Sequence, residues 1–223
     1  KQAVIDEIES DTKEFGDKRR TVIEESEKSV LEVRVSDDPV TVIFSKKGWI
    51  RLRQGWETDP SSLSFKEGDG LESFIRCRSV DPVIFLDSKG RAYSVDPNVL
   101  PSGRGDGVPA SSLIDLQDGA QVMHCIAAPK DTKLFVATTG GYGFFATLKD
   151  LVSNRRAGRE FMSMPKDERP LSPKIFDDHP DNNVLAISES GKLLVFSASE
   201  IKFLSKGRGV IVMGLDNNDR LAE

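Results

Sequence analysis

The stretch Val83-Ile-Phe-Leu-Asp-Ser-Lys-Gly-Arg-Ala-Tyr-Ser-Val95 joins two apolar segments through a polar turn that ends in Gly90. Three further stretches of the chain repeat this pattern, and their turns end in Gly48, Gly141 and Gly191. Glycine at the end of such a turn supplies the positive φ that lets two strands run back against each other. The repeated pattern therefore predicts four β-hairpins.

The spacing of the hairpins predicts how they are arranged. Their turn glycines are separated by 42, 51 and 50 residues, and a repeat of roughly 40–50 residues built from hairpins is typical of propeller-like arrays. A single hairpin leaves one apolar face uncovered, so neighbouring units have to stack on one another. The predicted fold class is all-β, with about four blades over residues 39–223 and a short helix before them.

The N-terminal arm, residues 1–38, does not follow the repeat. Its first part predicts a helix over residues 1–15 that ends at Gly16, because apolar residues recur there at helical spacing. These apolar residues are Val4, Ile5, Ile8 and Phe15. Residues 24–38 alternate charged and small side chains and predict a linker into the first strand.

The formal net charge of −5 argues against an anionic partner until its distribution is considered. Residues 1–38 contain 7 Lys and Arg against 12 Asp and Glu, whereas residues 39–223 contain 24 of each. DNA affinity depends on local clusters of basic side chains rather than on total charge. The repeat region is therefore compatible with a basic face that binds DNA.

A basic, glycine-containing loop follows each of the last three hairpins, about ten residues after the turn glycine. An apolar anchor precedes each loop, at Val99, Leu151 and Ile201. Glycine lets main-chain N–H groups approach a phosphate closely, and Arg or Lys adds charge. The candidate DNA-binding residues in these loops are Arg104, Arg155, Arg156, Arg159, Lys206 and Arg208. The alternative is that these loops are solvated connections in which glycine only serves turn geometry.

The hairpin tips carry a second set of basic residues. The candidate DNA-binding residues of this set are Lys46, Lys47, Arg51, Arg53, Lys89, Arg91 and Lys192. A radial array would place equivalent positions on one rim, where their charges would form a continuous track for duplex DNA. The alternative is that exposed lysines serve solubility. Tyr142 stands at the equivalent position of the third hairpin and weakens the prediction of a track.

No catalytic, metal-binding or cofactor-binding residues are predicted. The chain has no P-loop, G-x-S-x-G or H-E-x-x-H motif. Cys77 and Cys125 are too few and too far apart for a disulfide framework or a zinc site, and are predicted to be small buried residues. His124 lies in an apolar stretch and is predicted to be structural. Trp49 and Trp56 are expected in the core or in contacts between strands, rather than stacked on a ligand.

Several segments resemble a known family. Phe15-Gly-Asp-Lys-Arg-Arg-Thr21 is similar to the sequence that follows the coiled-coil arm of bacterial gyrase and topoisomerase IV A subunits. Lys47-Gly-Trp-Ile-Arg51 looks like the entry blade of the C-terminal domain in topoisomerase IV. Later blades of that domain are similar to Phe85–Tyr93, Gly141–Phe144 and Asn154–Gly158. The resemblance covers nearly all of residues 1–215 in matching order.

The resemblance implies a β-pinwheel, in which hairpin-invaded blades share strands with their neighbours. It implies that duplex DNA binds the outer rim through its phosphate backbone and is bent there. The family's nucleophilic tyrosine lies in another domain, whereas Tyr93 and Tyr142 lie inside hairpins, so this segment is expected to be non-catalytic. Gyrase carries a Q-R-R-G-G-K-G box, which is absent here; that departure favours topoisomerase IV.

The resemblance further implies a role in selecting DNA by its geometry for decatenation and supercoil relaxation. The implied partners are duplex DNA, the B subunit, and the rest of the A subunit, without a membrane, in the bacterial cytoplasm. The alternative function is a propeller-like protein-interaction module that does not bind DNA, because a fold alone does not determine function. A propeller enzyme is a third reading, and no convergent set of carboxylates in the sequence supports it.

Overall fold

The computed structural model describes residues 1–17, 36–103, 105–177 and 182–222. The chain divides into two compact units, residues 1–34 and residues 35–223. The first contains helix α1 (Gln2–Phe15), whose apolar side chains are all exposed. This helix confirms the prediction for the start of the chain. No helix among the described residues is long and apolar enough to cross a membrane. Most of the predicted linker lies outside the described residues, as do Arg104 and His179.

The second unit is built from short strands. In chain order they are β1 (Pro39–Ser45), β2 (Trp49–Gln54), β3 (Leu71–Arg78), β4 (Val83–Asp87), β5 (Arg91–Val95), β6 (Val108–Pro109), β7 (Val122–Ala127), β8 (Lys133–Ala137), β9 (Tyr142–Thr147), β10 (Arg159–Glu160), β11 (Lys174–Ile175), β12 (Asn183–Ile187), β13 (Leu193–Ser197) and β14 (Val210–Ile211). Single 3₁₀ turns lie between them at Pro60–Ser62, Pro97–Val99, Ala110–Ser112, Leu148–Asp150 and Ala198–Glu200.

The four predicted hairpins are β1–β2, β4–β5, β8–β9 and β12–β13. Each turn ends in the predicted glycine, with φ of 80°, 78°, 80° and 86° in chain order. The N–H of that glycine donates to the carbonyl three residues earlier, at 2.9–3.0 Å. A buried polar residue begins every turn: Ser45, Asp87, Thr138 or Ser188. The end of a hairpin that carries this turn is called its tip below, and the opposite end its base.

Each of the first three hairpins forms the centre of a four-stranded sheet, called a blade. The strand orders are β3-β1-β2-β6, β7-β4-β5-β10 and β11-β8-β9-β14. The last strand of each blade comes from the chain that follows the next hairpin. Each blade thus receives one strand from the following unit, and β6, β10 and β14 are called the exchanged strands below. This exchange confirms the β-pinwheel that the resemblance implied. The fourth hairpin, β12–β13, pairs as two strands within the described residues.

In the part of the chain that the structure describes, the core consists of three apolar clusters, each between two consecutive hairpins. In the first cluster Val42 and Ile50 face Val83 and Phe85, and the ring of Phe44 lies 5.9 Å from that of Phe85. Later hairpins repeat this packing in the other two clusters. Stacking of hairpin on hairpin therefore supplies the burial that a single hairpin lacks.

The two ends of the stack differ. On the fourth hairpin, Leu185, Leu193 and Val195 are 54%, 61% and 54% exposed, although equivalent residues in the first hairpin are buried. The outer face of the first hairpin is instead covered by the segment of chain that follows this hairpin. In that segment the Phe65 ring lies 5.2 Å from the guanidinium carbon of Arg51. The first hairpin is thus covered on its outer face by residues close to it in sequence.

Candidate nucleic-acid interface

The three basic loops lie on equivalent edges of successive blades. They are the first loop (Pro101–Gly107), the second (Ser153–Arg159) and the third (Ser205–Gly209). They run from base to tip along β2, β5 and β9 and end in the exchanged strands β6, β10 and β14. Strands β3 and β7, on the opposite edges, approach each other. The basic loops therefore lie on the outside of the array.

One glycine in each loop has a structural role. Gly107, Gly158 and Gly209 have φ of 89°, 61° and 86°. A Cβ atom at any of them would overlap a main-chain oxygen of the strand beneath, at Ile50, Ala92 or Gly143 respectively. These glycines let each loop dock on the neighbouring blade. For them, packing explains the glycine better than close approach to a phosphate does.

Replacing Gly158 with alanine is expected to lower the free energy of unfolding by about 2–3 kcal/mol, because alanine combines an unfavourable positive φ with a main-chain overlap. Urea denaturation followed by circular dichroism measures the change. Gly105→Ala is the matched control, since a Cβ atom there meets nothing within 4 Å and its φ is not in the left-handed region. Equal urea midpoints for the two variants would contradict the docking role.

The candidate residues of the loops are mostly exposed. Arg155 and Lys206 are exposed and make no ion pair with any residue that the structure describes. Arg156 is also exposed, although its guanidinium lies 3.5 Å from Asp115 and donates to the carbonyl of Ser112 at 3.1 Å. Arg159 is half-buried at the start of β10. The second and third loops thus present uncommitted cations on the outer edge.

Most candidate residues at the hairpin tips hold the protein together locally. The Lys47 ammonium donates to the carbonyl of Glu67 at 3.0 Å, and that of Lys89 donates to the carbonyl of Asp118. The Arg91 guanidinium donates to the Ala157 and Gly158 carbonyls at 2.9–3.2 Å. Lys192 pairs with Asp216, whereas Lys46 is exposed. The tips therefore offer fewer free charges than the sequence suggests.

Lys47, Lys89 and Lys192 bond to a second turn in each blade, which the sequence analysis missed. These clasp turns are residues 66–70, 117–121, 165–169 and 216–220. The second residue of each hairpin turn donates its main-chain N–H to the carbonyl oxygen of the last residue of a clasp turn. This distance is 2.8–2.9 Å in all four units. The turn-forming pairs Glu67-Gly68, Asp118-Gly119 and Asn217-Asn218 are the sequence signal for them.

The third tip obtains its cation from another segment. Tyr142 occupies the position where the other tips carry tryptophan, arginine or lysine. The guanidinium carbon of Arg208, from the third loop, lies 3.7 Å from the centre of the Tyr142 ring, and this arginine pairs with Glu168 at 3.1 Å. Arg208 therefore joins the third loop to the tip as well as adding charge to the edge.

The structure corrects the prediction for Arg51. This residue is 3% exposed, and its guanidinium donates to the carbonyl of Ser64 at 2.6 Å and to that of Gly105. Burial is the main reason that the pKa of Arg51 is lowered, and the nearby Arg53 guanidinium lowers it further. Arg51 is a structural residue that phosphate cannot reach. Arg53 is half-buried, and its side chain lies against Gly103 in the first loop.

One other prediction is wrong in detail, and a second had two alternatives that the structure separates. The anchor before the first loop is Leu100, which is 7% exposed, and not Val99, which is 61% exposed. Leu151 and Ile201 are buried as predicted. Trp56 is 43% exposed and its indole N–H donates to the carbonyl of Cys77 at 2.8 Å, so of the two predicted places this side chain has the contact with a strand, β3, and not the core.

The buried titratable residues have structural surroundings. Cys77 and Cys125 are both buried as predicted, and burial raises the pKa of Cys77 to about 12. His124 Nε2 lies 3.0 Å from the carbonyl oxygen of Pro170, and burial lowers its pKa. Among the described residues, no group of three His, Cys, Asp or Glu side chains is arranged to hold a metal ion.

Three basic residues near the base of the third hairpin were missed by the sequence analysis. Lys130, Lys149 and Lys202 are exposed and come from separate segments. The N–H of Lys149 donates to the carbonyl of Lys130, and the N–H of Phe145 donates to that of Lys202, both at 2.9 Å. Tertiary structure brings their main chains to the end of the array where the second and third loops begin.

Comparison with known proteins identifies the family. Residues 132–169 and 182–222 match the family model described as DNA gyrase C-terminal domain, beta-propeller. The chain is 37% identical to the A subunit of DNA topoisomerase 4 from Neisseria gonorrhoeae, over 99% of this chain and 29% of that protein. The Escherichia coli (strain K12) protein of the same name is 36% identical, over 91% of this chain and 27% of that protein. The chain thus spans less than a third of these relatives.

A solved structure agrees with this relationship. The Escherichia coli ParC C-terminal domain superposes with a TM-score of 0.77 at 35% identity, covering 83% of this chain and 78% of that one. The hairpin repeat, the exchanged strands and the matching relatives lead to one assignment. The chain belongs to the family of C-terminal domains of the DNA gyrase and topoisomerase IV A subunits.

Proposed function

We propose that this chain is the non-catalytic duplex-DNA-binding and DNA-bending part of a bacterial topoisomerase IV A subunit. It helps the enzyme to select DNA by geometry for decatenation and supercoil relaxation during chromosome segregation in the cytoplasm. Residues 39–223 bind the DNA, and residues 1–38 connect this domain to the catalytic core. The protein partners are the rest of the A subunit and the B subunit. The observation that carries this proposal is the basic loop on the same outer edge of three successive blades.

The physical argument starts from the spacing of charges along a duplex. DNA presents its phosphates along a regular backbone, and neutralising them releases counterions whatever the base sequence. Loops on the outer edges of successive blades present cations to successive stretches of that backbone. Blades that stack radially turn those edges around an axis, so a duplex that follows them is bent. The contacts position the DNA without reading its bases.

The residues proposed to contact DNA differ from the candidate DNA-binding residues that the sequence predicted. The proposed contacts on the outer edge are Arg53, Arg155, Arg156, Arg159, Lys206 and Arg208; Arg104, which lies outside the described residues, stays a proposed contact from its sequence position alone. Lys46, Lys47, Lys89, Arg91 and Lys192 are proposed to contribute to the electrostatic potential at the tips, since several of them already bond within the protein. Arg51 is removed from the set because it is buried.

The test is a salt titration of the chain on a duplex of about 40 base pairs, followed by fluorescence anisotropy. If five phosphates are neutralised, log Kd should change with log salt with a slope of about 4–5, and duplexes of unrelated sequence should bind equally. The double variant Arg155→Ala, Lys206→Ala is expected to bind about tenfold more weakly, with a slope smaller by about 2.

The matched control is Lys166→Ala, Arg220→Ala, which removes the same charge from two exposed clasp-turn residues. It should change affinity less than twofold. Equal losses in both double variants would show that only total charge matters, and the outer-edge path would be wrong. Absence of binding at low salt would favour the alternative, a propeller-like protein-interaction module.

A further inference from the structure

A cavity of about 410 Å³ lies at the base of the second hairpin. Three separate segments form its walls: the turn at Ser79–Pro82, the end of β5 with the 3₁₀ turn that follows it, and the beginning of the second basic loop. Lys130, from the connection between β7 and β8, completes the lining. The cavity is therefore built where the bases of several blades meet, away from the hairpin tips.

The charges that line this cavity are unbalanced. Among the described residues, Lys130, Arg155 and Arg156 are the cations of its lining, and Asp96 is its one acidic residue. Asp96 Oδ1 already accepts hydrogen bonds from the main-chain N–H and the side-chain amide of Asn98, both at 2.8 Å. Lys130 and Arg155 are exposed and form no ion pair within the described part of the chain. An anion that enters the cavity therefore meets two uncommitted cations.

The position of the second loop over the cavity is fixed before any ligand binds. The N–H of Ser153 donates to the Ser94 hydroxyl oxygen at 2.7 Å, which ties the start of the loop to β5. At its other end Gly158 docks on Ala92. The side-chain amide of Asn154 adds a neutral hydrogen-bond donor to the lining, whereas the amide of Asn98 already donates to the Ser79 carbonyl at 3.3 Å and to Asp96 at 2.8 Å. Two cations and one amide around one concavity suit the tetrahedral oxygens of a phosphate group.

We propose that this cavity is a phosphate-binding site in which Lys130 and Arg155 contact one phosphate group. The choice of ligand rests on the proposed function: if the chain binds DNA, the phosphate group is a phosphodiester of the bound duplex. Free phosphate is the other ligand with the same chemistry. The DNA path then extends from the outer edge of the second blade towards its base. Lys130 has no counterpart in the repeated basic loops, so only the folded chain associates it with Arg155.

The first arm of the test compares Lys130→Gln with the unchanged chain on a duplex of about 40 base pairs. Lys130 contributes its main-chain carbonyl to the fold, accepting from Lys149, so the variant is expected to keep its thermal midpoint. Its affinity is expected to fall about three- to tenfold, and its salt slope by about 1, since one phosphate contact is lost. Lys166→Gln, the same exchange on a clasp turn, should change neither.

The second arm titrates inorganic phosphate into the chain and follows the side-chain amide resonances of Asn98 and Asn154 by NMR. These resonances are expected to shift, and the shifts are expected to disappear in Lys130→Gln. If the unchanged chain binds the duplex but Lys130→Gln is indistinguishable from it, the cavity proposal is overturned and the DNA-binding function stands. If the duplex does not bind yet phosphate shifts the amides, the site stands with free phosphate as its ligand. Absence of both responses overturns both.

Discussion

Replacing Asp87 with alanine is expected to lower the free energy of unfolding by about 3–5 kcal/mol, because it leaves the buried Tyr93 hydroxyl and two part-buried main-chain N–H groups without an acceptor. Asp87 is fully buried at the start of the second hairpin turn. Its carboxylate accepts from the main-chain N–H groups of Lys89 and Arg91 at 2.8 and 2.9 Å, and from the Tyr93 hydroxyl at 2.9 Å. Alanine cannot replace any of these bonds.

The Asp87 bonds connect the turn to the core between the first two hairpins. Tyr93 is fully buried in that cluster, and burial, assisted by the Asp87 carboxylate, raises its pKa to about 12. Its hydroxyl therefore remains a donor at neutral pH. Loss of the acceptor would affect the packing of the first hairpin on the second as well as the turn itself.

Equilibrium urea denaturation of Asp87→Ala and Ser188→Ala measures the difference. Ser188 begins the equivalent turn of the fourth hairpin, where its hydroxyl oxygen accepts from the N–H of Lys192 at a long 3.3 Å. Ser190, whose hydroxyl lies 2.9 Å from that of Ser188, and Lys192 are both exposed residues, so water can satisfy the groups that alanine would leave. We expect a loss of about 1 kcal/mol for Ser188→Ala. A loss for Asp87→Ala no larger than this would show that the buried network contributes little.

The hairpins could be predicted from sequence because their signals are local. A turn glycine with an apolar segment on each side defines two strands within about thirteen residues, as in Val83–Val95. The exchanged strands β6, β10 and β14 are two residues long, too short to show any period. Strand β3 mixes exposed and half-buried positions. These elements exist because neighbouring strands supply hydrogen-bond partners, and that information is distributed along the chain.

The candidate site was predicted less completely because composition does not show what a basic residue contacts. Arg155 and Arg51 both stand in basic stretches, yet one is exposed and the other is 3% exposed. The carbonyls that surround Arg51 come from Ser64 and Gly105, which are distant in sequence. Lys130 was overlooked for the converse reason, since it stands outside the repeat. Tertiary contacts divide the cations into those that hold the blades and those that remain available to a ligand.

This division follows a physical rule that the repeat makes visible. At the tips, Lys47 and Lys89 approach clasp-turn carbonyls closely enough to bond. Along the outer edge, the loops are anchored by main-chain bonds and by their glycines, so the exposed side chains of Arg155 and Lys206 are not needed for the fold, whereas Arg208 also joins the third loop to the tip. Arginine side chains on such loops can therefore serve a ligand without a loss of stability. Stability and DNA affinity should accordingly respond to different sets of basic residues.

Arg51 and Arg53, which lie two residues apart in β2, test this separation directly. Arg51→Met keeps the aliphatic bulk beside Phe65 but leaves the Ser64 and Gly105 carbonyls without their donor. We expect the free energy of unfolding to fall by about 3 kcal/mol, while the salt slope of DNA binding by the folded protein stays unchanged, because no phosphate contact is removed.

Arg53→Met removes the same charge two residues away, from a half-buried side chain for which no hydrogen bond is seen within the described residues. Its stability is expected to change by less than about 1 kcal/mol, whereas its salt slope should fall by about 1 and its affinity several-fold. Chemical denaturation and anisotropy titrations on the same preparations give both quantities. A reduced salt slope in Arg51→Met would return that residue to the DNA interface. An unchanged salt slope in Arg53→Met would show that the proposed DNA path along the outer edge does not reach the first blade.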